Sequence, residues 1–288
     1  MLQVEEIFKK IRKIDIKARK LVSETFLGTY HSRFKGRGIE FSEVTDYHYG
    51  DDIKTIDWNV TARQGNPYVK KYMEERELCI NIMIDISGSQ NYGSGKYSKR
   101  ELAAEIAGVI AFSAVRNNDK AGLVLVSDNV EYYLPPGKGY QHLFRIIREA
   151  LFFEPKSPGT NLSPGLEYIS SIYHRRQIVF VISDFFGYIP DKNWLTTMRR
   201  HELIPVVIED IREGTLAPSG ILEIEDLETG ENFQLSLPAA HGLWRQTFEQ
   251  KRSSLFEEFR KIGQNHLVIR NDEEIVSRMQ EFFEARKN

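Results

Sequence analysis

The sequence predicts a doubly wound, mainly parallel α/β sheet, and three observations lead there. Near-continuous apolar runs such as Leu78 to Ile84 and Ile178 to Ile182 belong to strands covered on both faces. They alternate with stretches long enough for helices, an arrangement that implies right-handed parallel crossovers. Two acidic residues, Asp85 and Asp184, close such runs, and the carboxyl ends of parallel strands form the crevice where ligands bind.

Taken in order, residues 2–24 read as an amphipathic helix, with Val4, Ile7, Ile11, Ile14 and Leu21 near one stripe and seven basic residues elsewhere. A basic helix can lie on an anionic membrane surface, but Glu5, Glu6 and Asp15 interrupt its charge, so we read it as docked on its own domain. From His31 to Glu77 the texture is irregular: a basic glycine loop, Arg33 to Gly38, precedes aromatic and acidic residues without clear periodicity. The β/α rhythm then becomes regular, with a strand over 78–85, a helix over 98–117, strands over 121–127 and 130–134, and helices over 138–153 and 162–174. It continues with a strand over 177–183, a helix over 191–201 and a strand over 203–209. A hairpin over 221–237 turns at Glu228-Thr-Gly-Glu, and a helix over 241–262, a strand over 266–270 and a helix over 273–286 close the chain. The expected organisation is an amino-terminal helix and irregular segment over 1–77 packed on a core domain over 78–288, the latter with a hairpin insertion near 211–240.

Composition narrows the function. The 288 residues are 41% hydrophobic, enough for a sizeable core, and the net charge of −2 disfavours a general nucleic-acid binder. Cys79 is the only cysteine, which excludes an intrachain disulfide and a zinc–cysteine cluster. With no secretory signal and no run approaching the ~18 apolar residues of a membrane span, the expectation is a cytoplasmic protein.

Asp85-Ile-Ser87-Gly-Ser89 places one carboxylate and two hydroxyls at a strand tip, an oxygen set suited to Mg2+, Mn2+ or Ca2+. Thr160, in Pro-Gly-Thr-Asn, and Asp184 would complete the shell from two further segments. Ser and Asp are also good helix caps, so an isolated match would read as a polar strand-to-helix turn. Five positions in order, on the expected elements, favour a metal framework. They resemble the metal-ion-dependent adhesion site (MIDAS) of von Willebrand factor A domains. That resemblance implies that Ser87, Ser89 and Thr160 touch the cation, that Asp85 and Asp184 act mainly through water, and that a partner's carboxylate supplies the last ligand.

A second motif lies upstream: Glu40-Phe41, Tyr47, Gly50-Asp51-Asp52, Ile56-Asp57-Trp58 and Ala62-Arg63. With the Asp85 site, it resembles the family catalogued as domain of unknown function 58, which carries a von Willebrand A-like domain. The resemblance covers roughly residues 30–285. Thr45 and Lys54 stand where that family commonly has arginine, and lysine loses the bidentate fork. Asp51, Asp52 and Asp57 would either hold arginines such as Arg33, Arg37 and Arg63 or bind a second cation. We read ion pairing, with Tyr47 and Trp58 as apolar anchors; a nuclease-type carboxylate cluster is the alternative.

The resemblance implies a non-enzymatic, metal-dependent protein-binding module working with a MoxR-type AAA+ ATPase in assembly or maturation of other proteins. The alternatives are a metal-dependent hydrolase acting on phosphoesters and a metal-free interaction scaffold. Against hydrolysis, Ser87 stands where phosphatase sites normally carry a second Asp, and Ile84-Asp-Ile-Ser87-Gly lacks the Gly-x-Ser-x-Gly elbow.

Overall fold

The computed structural model describes residues 9, 11–16, 18, 36–48, 50–94, 97–214, 221–225 and 232–286, and of these, 36–43, 55, 70–76, 221–225, 233 and 235–241 by backbone alone. A six-stranded sheet has the order β10-β7-β6-β3-β4-β5, where β3 is Cys79–Asp85, β4 Lys120–Val126, β5 Val130–Gly137, β6 Ile178–Ser183, β7 Glu202–Glu209 and β10 Leu267–Arg270. All neighbours are parallel except β5, which runs antiparallel at one edge. This is the doubly wound arrangement the apolar runs predict.

The period of two along each strand explains the two layers of helices. In β3, Ile80, Ile82 and Ile84 join one buried cluster and Met83 the other; in β6, Ile178, Phe180 and Ile182 are separated in the same way from Val179 and Val181. The first face is covered by α2 (Lys99–Arg116), α3 (Gly139–Phe152) and α7 (Ile275–Ala285), the second by α4 (Ser163–Ile172), α5 (Lys192–Arg200) and α6 (Leu237–Lys261). Ser98 and Glu101 form a reciprocal capping box that starts α2, fixing where the helix leaves the crest of β3.

Helix α2 is buried over most of its circumference, and helical residues 11–16 supply part of its cover. Ile11, Ile14 and Ala18 belong to the same core cluster as α2. Gly108 allows the contact, since a Cβ there would lie 2.7 Å from Ile14 Cγ2. This segment thus contributes to the core through Ile11, Ile14 and Ala18, while Val4, Ile7 and Leu21 lie outside the described residues.

The region read as irregular contains a regular element. Strands β1 (Gly36–Asp46) and β2 (Tyr68–Arg76) pair antiparallel, with a short 3-10 turn and α1 (Trp58–Gln64) between them. Register shifts between Arg37 and Glu40 and between Phe41 and Glu43 break the alternation along β1, which hides the strand from a periodicity reading. The expected hairpin near 211–240 is present as the antiparallel pair β8 (Ile221–Glu225) and β9 (Asn232–Ser236). Among the described residues, no helix is long and apolar enough to cross a membrane.

Candidate metal centre

Strand β3 lies in mid-sheet, hydrogen-bonded to β4 and β6, so its last residue, Asp85, emerges in the crevice between neighbouring strand ends. The carboxylate is only 1% exposed. Its Oδ1 accepts from the Ser87 N–H at 3.0 Å, and its Oδ2 accepts from the Ser183 hydroxyl at 2.6 Å and from Gln90 Nε2 at 3.4 Å. Burial, reinforced by the nearby charge of Asp184, pushes the Asp85 carboxyl up to about 6. In this arrangement Asp85 carries more negative charge than its hydrogen bonds comfortably compensate.

Beyond Asp85 the chain enters a 3-10 turn, Gly88–Asn91, with Ser87 at its start. The turn brings the hydroxyls of Ser87 and Ser89 within 3.2 Å of each other. Neighbouring ligands of an octahedral Mg2+ with bonds of 2.0–2.1 Å are about 3 Å apart, so the pair fits the edge of such a shell. The loop bearing Thr160 is tied to the same turn, because the Gly88 N–H donates to the Pro158 carbonyl at 2.7 Å; Asn161 N–H donates to Ser127 at 2.8 Å. Thr160 itself is exposed at the crest.

Asp184 follows β6 directly and is 5% exposed. Ser183 links the two acidic positions, donating to Asp85 while its hydroxyl accepts the Phe185 N–H at 3.0 Å. Phe185 has φ +52°, an uncommon backbone for a bulky residue, and its ring is buried against Trp194 and Phe259. The turn after β6 is thereby fixed by packing. Asp184 Oδ1 accepts the Phe186 N–H at 3.1 Å, and its Oδ2 meets Lys99 Nζ at 2.5 Å. Lys99, 3% exposed, meets Glu213 Oε1 at the same distance. Burial opposes the charge on Lys99, but Asp184 and Glu213 outweigh it and hold the ammonium above its ordinary range.

Asp85, Ser87 and Ser89 are thus brought together, the Thr160 loop is tied to them, and Asp184 is adjacent but engaged by a lysine. The donor set fits a hard divalent cation at its hydroxyl edge. Sequence reasoning missed Gln90, Ser183, Lys99 and Glu213. Gln90 is fully buried, its Nε2 lies 3.4 Å from Ser89 Oγ, and its Oε1 has no hydrogen-bond partner among the described residues. Its place next to the motif was the signal for it; Lys99 and Glu213 meet across 114 positions, with no local signal.

The second motif resolves differently. Asp51 accepts from the His48 N–H, Asp52 from the Lys54 N–H, and Asp57 caps α1 through the N–H groups of Asn59 and Val60. Each carboxylate organises a local turn. Arg33 and the side chain of Arg37 lie outside the described residues, as do those of Glu40 and Phe41, and Arg63 is exposed. Tyr47 is half-buried, and Gly50 takes φ +113°. Trp58 corrects the expectation of a buried anchor, being 67% exposed as the first residue of α1, directly after the Asp57 cap.

The family described as protein of unknown function DUF58 matches residues 43–255, a span that takes in the Asp85 site and the upstream motif from Tyr47 onward. The chain belongs to the DUF58 family. The uncharacterized proteins Rv1480 of Mycobacterium tuberculosis and Mb1516 of Mycobacterium bovis are each 26% identical over 285 residues, spanning 96% of this DUF58 chain and 89% of theirs. Among solved structures, BatB from Bacteroides thetaiotaomicron is 14% identical with a TM-score of 0.43, covering 73% of this chain and 98% of its own. The SpRpn10 VWA domain is 15% identical with a TM-score of 0.41, covering 70% and 93%.

Proposed function

We propose that this protein is a metal-ion-dependent protein-binding module of MIDAS type, and that it works with a MoxR-type AAA+ ATPase in assembly or maturation of other proteins. The observation carrying the proposal is the 3.2 Å pair of Ser87 and Ser89 hydroxyls beside the buried Asp85 carboxylate at the carboxyl end of the sheet. Ser87, Ser89 and Thr160 would hold Mg2+ or Mn2+ directly, and Asp85 and Asp184 would orient its water. Bound there, the cation would supply an electrophilic position for a carboxylate. Neutral hydroxyl ligands leave most of its charge uncompensated, which favours an Asp or Glu arriving from a partner. The ATPase rests on family resemblance, and the sheet-rim position of the ligands supports the binding step.

Calorimetric titration of Mg2+ and Mn2+ into wild type and Asp85→Ala tests the reading, followed by affinity capture with and without chelator. Saturable binding lost in the variant, with chelator-sensitive capture of an AAA+ ATPase, is the expected result. Capture that is indifferent to chelator would overturn the metal dependence. It would favour instead a metal-free scaffold, a second reading supported by the ion pair of Lys99 with Asp184.

A further inference from the structure

Lys99 is the feature of the centre that the binding reading does not absorb. A lysine 3% exposed is rarely kept without compensation, and this one has two carboxylates at 2.5 Å. The two are held differently. Glu213 is anchored through its other oxygen, which accepts the Asp210 N–H at 3.1 Å. Asp210 in turn accepts from the Ser94 N–H at 2.8 Å and from Asn271 Nδ2 at 2.7 Å, so this side of the clamp is tied to two other loops. Asp184 sits on the turn that follows β6 and is linked to Asp85 through Ser183.

We infer that Lys99 is a tethered rival to the divalent cation: its ammonium occupies Asp184 in the resting protein, and Glu213 takes over the ammonium when Asp184 turns to the cation. This deepens the metal-binding reading and rests on it. The charges make the exchange possible. Asp85 and Asp184 with one ammonium form a compact cluster of net charge −1, and adding a dication would place like charge beside Lys99 unless that ammonium is drawn toward Glu213. The site would therefore bind its cation more weakly than its ligand set alone allows, and a partner's carboxylate would tip the balance by adding negative charge on the cation side.

The test is calorimetric titration of Mg2+ and Mn2+ alone into wild type, Lys99→Met, Glu213→Gln, Asp184→Asn and Lys99→Met/Asp184→Asn, with folding checked by circular dichroism. Lys99→Met should bind at least about tenfold more tightly, a conservative size for removing a like charge within about 5 Å at an effective dielectric near 20. The gain should vanish in the Asp184→Asn background, since the rivalry runs through that carboxylate. Glu213→Gln, which leaves Lys99 wholly on Asp184, should bind several-fold more weakly and keeps the inference testable if Lys99→Met fails to fold. Unchanged affinity in Lys99→Met, or in Glu213→Gln where that is the variant that folds, overturns the inference, as does an equal gain with and without Asp184. If wild type and every variant bind neither ion, the metal reading itself falls, and the inference with it.

Discussion

At the scale of single residues, Asp85 is a carboxylate kept at a cost. Its side chain accepts from Ser87, Ser183 and Gln90, yet burial and the neighbouring Asp184 raise it from 3.8 to about 6. A carboxyl whose folded value lies above its unfolded value binds more protons when folded, so stability falls as pH rises between about 4 and 6 and remains reduced above that window. In chelator, Asp85→Asn should therefore gain melting temperature relative to wild type on going from pH 4.5 to 7.5. A difference that does not change with pH would show that the carboxylate is compensated in the folded protein. Such an unfavourable group fits a functional position better than a packing one. Asp85, Ser87 and Ser89 were legible in the sequence because one short turn carries them all. Lys99 and Glu213 were not, because their meeting is set by tertiary structure alone.

At the scale of elements, legibility followed periodicity. The strands of the main sheet and the helices between them announce themselves by continuous apolar runs and amphipathic stretches, whereas β1 is interrupted by two register shifts and β2 carries Lys70, Lys71, Glu74, Glu75 and Arg76. The docking of residues 11–16 on α2 is written in Gly108 as much as in the isoleucine stripe, but no pattern within one segment marks a close approach between two. Gly108→Ala would set a methyl 2.7 Å from Ile14 Cγ2, and overpacking of this kind costs roughly 1–3 kcal/mol. Thermal denaturation should show that loss in the single variant. Ile14→Ala in the Gly108→Ala background should then cost less than Ile14→Ala alone, because the clash and the truncation share one space. Additive losses would place the glycine's role elsewhere.

For the molecule as a whole, the six-stranded sheet is a rigid platform with the candidate site on its rim, while β1–β2 and β8–β9 form separate two-stranded sheets. Two-stranded ribbons are marginal alone, whereas β3, β4 and β6 are buried on both faces by the two helical layers. Local opening free energies should therefore differ widely across the chain. Native-state amide exchange is expected to be slowest in β3, β6 and α2, and orders of magnitude faster in β8–β9 and β1–β2. Exchange in β8–β9 as slow as in β3 would mean that the hairpin is part of the core. Adding Mg2+ should slow exchange at 85–91 and around Asp184 while leaving the amino-terminal ends of the same strands unaffected. That locality follows from the architecture, because ligands at strand ends tie loops to one another without altering the buried layers beneath.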